Sequence, residues 1–335
     1  MKFNWKSVAA IVLLLAFALP FLVKCKNESN HTAQPPEVKK QITPVVRKAP
    51  GFSADSAYQM IEKQLSFGPR VPNMKSHKAC GDWIVQKFKG YGAEVFEQTT
   101  TVTAIDKSKL NIRNIIASYN PQASKRVILS AHWDSRPWGD EDTERQKEPI
   151  PAANDAGSGV AVLMEIARQM QAKQPNVGVD IMLWDAEDYG KDSAESYCLG
   201  AQYWAKNKHK IGYTAAYGIN LDMVGAEGAL FPREGVSMYF APEITDRLWG
   251  IANELGFGNQ FTYDVTPEIT DDHLFINMNA KIKMIDIIDR RASATRPGYY
   301  EFFPYWHTHK DNLQCISKTT LNSVGLSVIE MVYRE

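Results

Sequence analysis

From Phe52 to the C-terminus the apolar residues keep changing period, from the three-and-four spacing of a helix to the continuous runs of a buried strand and back, and few architectures accommodate that alternation. Ala57, Met60, Ile61 and Leu65 recur at helical spacing behind Ser53, a capping residue, and Gly68-Pro69 ends the segment. Cys80, Trp83, Ile84 and Phe88 mark a second helix that stops at Gly90 or Gly92. Strand-like runs follow at 94–102, 111–118 and 126–131, then a helix over 157–170, a strand over 177–184 and a helix over 199–206. A strand at 217–221, a helix at 242–255, a strand at 282–288 and a closing helix at 317–333 complete the series. Strands separated by helices imply an α/β three-layer sandwich, with a central, mostly parallel mixed β-sheet covered by helices on both faces. One such domain accounts for residues 51–335.

In sheets of this kind sites gather beyond the carboxyl ends of the strands, so the polar residues found there carry the most information. His132-Trp133-Asp134-Ser135 follows the run ending at Ala131, and Asn154-Asp155-Ala156-Gly157-Ser158-Gly159 precedes the helix over 157–170. The next strand runs into Asp185-Ala186-Glu187-Asp188, the following one delivers Asn220-Leu221-Asp222, and a late loop carries Trp306-His307-Thr308-His309. Each has a bland explanation by itself: Asp155 as a helix N-cap, Asp222 as a turn residue. Together, so many carboxylates at one sheet edge would repel one another unless a cation sat among them. A mixed set of imidazole and carboxylate suits zinc, whose catalytic sites take three protein ligands and leave a position open.

The N-terminus reads differently. Lys2 and Lys6 precede an apolar run over 8–23, interrupted by Pro20 and short of the roughly 20 residues that span a bilayer, in the order of a secretory leader. Leu22-Val23-Lys24-Cys25 resembles a bacterial lipobox, with Lys24 where a small residue is usual. Residues 1–25 are therefore expected to be a leader and 26–50, polar and proline-bearing, a flexible tether. The protein would be exported, as a periplasmic or membrane-anchored lipoprotein of a Gram-negative-type bacterium. The whole chain holds 38 Lys+Arg and 38 Asp+Glu, yet residues 1–50 contain 8 and 2 of these, leaving 30 and 36 in an acidic body. Such a body is a poor nucleic-acid binder and a good host for a metal cation.

His132-x-Asp134, Asn154-Asp155-x-Gly157-Ser158-Gly159, Glu187-Asp188, Leu221-Asp222 and Trp306-His307 resemble, in order, the metal-site motifs of the M28 zinc peptidases. That family includes aminopeptidases with two zinc ions and glutaminyl cyclases with one. Eleven positions separate Asp188 from Leu199 of Leu199-Gly200-Ala201, an insertion (189–198) similar to that of the cyclases. Ile269-Thr270-Asp271-Asp272-His273, Trp306-His307-Thr308 and Phe67-Gly68-Pro69-Arg70-Val71-Pro72 are similar to bacterial cyclase segments as well. The resemblance implies one Zn2+ per chain held by Asp155, Asp188 and His307, with Asp188 shorter than the Glu often found there. It implies Glu187 as general acid/base, Asp222 and Asp271 as a hydrogen-bonded acidic pair, and Trp138, Trp306 and Asp286 on the substrate side. The substrates implied are peptides or proteins with N-terminal Gln, the partner surface a membrane reached through the N-terminal lipid or anchor, and the catalytic body a monomer. His132 and Asp222 are both present, so a two-zinc aminopeptidase is the alternative.

Overall fold

The computed structural model of the chain describes residues 48–335. The expected leader and nearly all of the expected tether, with Cys25, lie outside the described residues. At the start of the described chain the Lys48 and Ala49 N–H groups donate to Glu330 at 3.2 and 3.1 Å. Among the described residues no helix is long and apolar enough to cross a membrane.

The strands are β1 (Glu94–Thr103), β2 (Lys109–Tyr119), β3 (Arg126–His132), β4 (Gly178–Trp184), β5 (Tyr217–Asp222) and β6 (Met284–Ile288), each within two residues of its expected bounds. They form one six-stranded sheet in the order β1-β2-β4-β3-β5-β6. β1 and β2 make an antiparallel hairpin, and β2 pairs antiparallel with β4. From β4 to β6 every pairing is parallel, which gives the mixed sheet its two characters.

The major helices are α1 (Ala54–Leu65), α2 (Lys75–Gly90), α3 (Gly157–Ala172), α4 (Leu199–Lys206), α5 (Pro242–Glu254) and α6 (Lys318–Tyr333). Ser53 caps α1 by accepting from Ser56 N–H. Strand alternation sorts the core into two layers. Val127, Leu129 and Ala131 of β3, with Val179, Ile181 and Leu183 of β4, pack among side chains of α1, α2, α3 and α6. Ile128, Met182 and Trp184 face the other way, onto Trp204 of α4 and Ile276. Trp184 is therefore core, its ring 5.4 Å from that of Trp204.

Several elements near the site escape the periodicity. Phe231–Arg233 and Phe261–Val265 form a separate parallel pair, and Gly235–Phe240 and Asp272–Phe275 are short helices. Runs of three to six residues hold too few apolar positions to show a period.

Candidate functional site

The carboxyl ends of β3, β4 and β5 bring His132, the turn Asp185–Asp188 and Asp222 side by side, since His132 registers with Trp184 in the ladder. α3 starts beside them. A Cβ on Gly159 would lie 2.4 Å from Leu221 O, so the helix approaches β5 as closely as it does only because Gly159 has no side chain. Asp155 does not cap this helix: the N-cap is Ala156, with no side-chain cap bond, which leaves the carboxylate to other partners.

Those partners are metal-ligand types on two sides. His132 Nε2 lies 2.9 Å from Asp155 Oδ1 and 3.3 Å from Asp222 Oδ1. His307 Nε2 lies 3.2 Å from Asp188 Oδ1 and 3.9 Å from Asp155 Oδ2. Ligand atoms of Asp155, Asp188 and His307 fall within 4.8 Å of one another, as do those of His132, Asp155 and Asp222. Asp188 Oδ2 is buried without a hydrogen-bond partner, an arrangement that is costly unless a cation satisfies it. Two carboxylates and an imidazole converging in this way fit zinc. The three expected ligands, which span more than 150 positions of sequence, are thus brought together.

The loops that carry them are pinned by two buried acids. Asp134 accepts the N–H groups of Glu187 at 3.0 Å and Asp188 at 3.2 Å. Asp311 accepts those of Asn154 at 2.7 Å and Asp155 at 3.1 Å. Ala186, Met223 and His307 all adopt positive φ, at 53°, 51° and 56°. Non-glycine residues rarely hold that conformation unless their surroundings enforce it. Each of these three is a proposed site residue or its immediate neighbour.

A cleft of about 380 Å³ opens onto these groups. Glu187, Asp188, Asp222, Asp271, Trp306 and His307 line it, and Ser193 and Tyr197 of the insertion form one wall. Trp306 stacks on His307, ring centroids 3.6 Å apart, and leans on Phe302 at 4.7 Å. A larger open groove, about 660 Å³, runs between α2 and β1 and holds none of the expected residues.

Burial raises the carboxyls of Glu187 and Asp222 above the ordinary range. For Glu187 it overrides the attraction of His132, and Asp188, Asp271 and Asp272 add to the rise. For Asp222, pushed up to about 7, it overrides a hydrogen bond from His132, with Asp155 and Asp271 adding repulsion. Both acids thus take up a proton far more readily than exposed carboxylates do.

Three expectations change. Trp138 is not among the residues that line the cleft; its ring packs edge-on against Tyr189 at 5.2 Å and lies 5.5 Å from the Arg136 guanidinium, because the loop after Pro137 turns the indole onto the insertion. Asp286, placed on the substrate side, is fully buried in β6 beneath the cleft floor, because β6 is covered on both faces. The hydrogen bonds of Asp222 and Asp271 also diverge. Asp222 meets His132, whereas Asn220 Nδ2 donates to Asp271 Oδ2 at 3.0 Å and to Asp286 Oδ1 at 3.3 Å. Asp271 is therefore coupled to Asp286, one layer deeper, rather than bonded to Asp222.

Residues 114–332 match peptidase family M28. The chain belongs to that family. Among solved structures it is similar to Bacteroides thetaiotaomicron glutaminyl cyclase bound to N-acetylhistamine, at 47% identity, TM-score 0.82, over 86% of this chain and 99% of that one. It is equally similar to a Zn-dependent exopeptidase from Parabacteroides distasonis, at 46% identity, TM-score 0.82, over 86% of this chain and all of that one. A glutaminyl-peptide cyclotransferase of Drosophila melanogaster is 26% identical over 171 residues, 49% of this chain and 46% of that protein. The chain spans about half the length of the curated relatives it matches first. The fold of this M28 member is that of zinc exopeptidases and glutaminyl cyclases.

Proposed function

We propose that this enzyme cyclises the N-terminal glutamine of peptides and proteins to pyroglutamate, releasing ammonia. The observation that carries the reading is the insertion between Asp188 and Leu199, whose Ser193 and Tyr197 wall a cleft that also contains Glu187 and the proposed ligands. A walled cleft of this size admits one N-terminal side chain and holds its amine against its own amide, which converts ring closure into a favoured intramolecular step. The similarity to a bacterial glutaminyl cyclase over nearly its whole length supports the same reading.

Asp155, Asp188 and His307 would hold one zinc ion, which supplies Lewis-acid polarisation of the side-chain amide oxygen. Glu187 accepts the proton that the α-amine sheds as its nitrogen bonds to the amide carbon. It then returns that proton to the departing nitrogen as the carbon–nitrogen bond of the amide breaks and ammonia leaves. Its raised affinity for a proton suits both halves of the task. Asp271 faces the leaving nitrogen from the floor of the cleft, held by Asn220, while Trp306 and Phe302 give the glutamine methylenes an apolar wall and keep water out.

A second reading has one observation in its favour. His132, Asp155 and Asp222 form a further ligand set sharing Asp155 with the first, as a two-zinc aminopeptidase requires. Incubation of the purified protein with an N-terminal glutamine peptide and, separately, a leucine substrate tests both. Ammonia release with about one zinc per chain is the expected outcome; leucine hydrolysis with two overturns it. We further propose export and anchoring through Cys25, supported by the charged-then-apolar leader; a Cys25→Ala protein that stays with the membrane fraction rules that out.

A further inference from the structure

We propose that Arg136 and Asp140 are positioning residues for the metal, a single guanidinium setting both Asp188 and His307 for coordination. The inference rests on the ligand set assigned under the proposed function.

Arg136 is buried, and its fork is spent in two directions. Nε and Nη2 donate to Asp140 Oδ1 and Oδ2 at 2.8 and 2.6 Å, a bidentate pair. Nη1 turns the other way, to Asp188 Oδ1 at 3.0 Å and to the main-chain oxygens of Asp188 and Gly190 at 2.9 and 3.2 Å. Charge neutralisation of Asp188 requires only the first of these last three contacts. The two carbonyl contacts fix the backbone on either side of Tyr189, where the turn after β4 becomes the insertion. Asp188 is one methylene shorter than glutamate, so its carboxylate reaches the ligand position only if the main chain is held forward, and Arg136 grips that main chain.

Asp140 completes the arrangement. Its Oδ1 lies 3.4 Å from His307 Nδ1. A carboxylate facing one imidazole nitrogen keeps the proton there and leaves the lone pair on the other, Nε2, which is the atom turned toward Asp188 and Asp155. The path from Asp188 through Arg136 and Asp140 to His307 therefore ties together two ligands that are far apart in sequence. Trp138 and Tyr197 flank the guanidinium at 5.5 and 5.7 Å, which gives Trp138 a purpose away from the substrate. Lysine cannot substitute for arginine here, because one ammonium lacks the planar fork needed to hold a carboxylate on one edge and carbonyls on the other.

The test measures zinc affinity of the full chain by competition with a metal chelator, in the wild type, Asp140→Asn and Arg136→Lys, with thermal unfolding of the metal-free proteins alongside. Loss of a ligand-orienting carboxylate typically weakens metal binding by about 10- to 100-fold, and that loss is expected in both variants. Turnover should return when zinc is added in excess, with KM unchanged. The Asp140 side chain is 40% exposed, so Asp140→Asn carries the test alone should Arg136→Lys fail to fold. Zinc affinity in Asp140→Asn within about threefold of wild type overturns the proposal, as does an Arg136→Lys protein that folds and binds zinc normally. Affinity is read without substrate, so a wild type that releases no ammonia defeats the cyclase reading and leaves this one to be judged separately.

Discussion

Two buried aspartates of the same sheet, Asp180 and Asp286, have opposite surroundings. Asp180 lies near the amino end of β4, and each of its oxygens is doubly satisfied. Oδ1 accepts from Ser118 Oγ at 2.7 Å and Arg126 Nη2 at 2.6 Å; Oδ2 accepts from Arg126 Nε at 2.7 Å and the Tyr213 hydroxyl at 2.6 Å. Burial alone would raise its pKa, but these donors overcome it and hold the carboxyl below its usual range. Asp286, in the middle of β6, has one long hydrogen bond from Asn220, while its Oδ2 has none and lies 3.8 Å from His273 Nδ1. Its pKa is raised, by burial first and then by Asp271 and Asp222. The sheet carries a fully satisfied ion pair at one end and, at the other, an acid cluster whose buried oxygens are only partly satisfied. Native structures rarely leave buried polar atoms unpaired, so the second end marks where a metal and a substrate belong.

The largest effect is expected at the acid end. Glu187→Gln keeps the shape of the side chain and loses its proton affinity, so turnover should fall by on the order of 10²- to 10⁴-fold, the usual contribution of a general acid/base, while bound zinc measured by atomic absorption stays at the wild-type level. Full activity in that variant would remove Glu187 from the reaction. Loss of zinc along with turnover would mean that its part is in metal binding.

Next come the two aspartates themselves. Asp180→Ala strands Arg126, and leaving one partner of a buried pair uncompensated costs about 3–5 kcal/mol; urea denaturation should show this with turnover unchanged well below the transition. Asp286→Asn removes an acid whose charged form burial disfavours, so near neutral pH the variant should be at least as stable as the wild type, whereas turnover should drop because Asp271 loses its neighbour. The pH dependence has a definite sign. An acid whose folded pKa is raised contributes stability that is complete below the ordinary carboxyl range and disappears as pH rises through the folded value. Asp286→Asn should therefore gain on the wild type as pH increases. Equal cost at both positions would erase the contrast between the two ends.

How much of this was open to a reader of the sequence depends on whether the signal is local. His132-x-Asp134, Asp155, Glu187-Asp188 and Asp222 are legible because each follows a run of apolar residues that announces a strand or precedes one that announces a helix. Asp286 has no such local signal: only the family resemblance puts it on the substrate side, and its place in the middle of Met284–Ile288, paired with Asn220 of β5, sets it beneath the floor. Trp138 sits close to the ligands in sequence, yet the loop directs it toward Tyr189. The work of Arg136, Asp140 and Asp311 is invisible, since each acts on a partner more than 50 positions away and polar contacts across loops leave no periodicity. Asp134 was the one orienting residue with a local signal, its place two positions after a strand-ending histidine.

The smallest effect falls at the neutralised end and sharpens what satisfaction means there. His209 accepts a hydrogen bond from Trp204 Nε1 at 3.0 Å and packs against Tyr213, ring centroids 4.7 Å apart, so the neutral ring is the form the fold uses. Its pKa falls from 6.5 to about 4, burial being the main cause and Asp180 pulling weakly the other way. The unfolded chain takes up a proton near pH 6.5 and the folded one only near pH 4, so the unfolded state binds more protons throughout that window and acidification drains stability across it. His209→Gln keeps an acceptor for Trp204 and cannot be charged. It should flatten the pH dependence of the unfolding free energy between those limits by about 1 kcal/mol or less, because solvent screens a ring that is only half-buried. Measured as the difference between variant and wild type at each pH, the comparison cancels the carboxylates that titrate in the same range. A parallel pair of curves would show that His209 takes up its proton alike in the folded and the unfolded chain, and would remove burial of this ring from the pH dependence of stability.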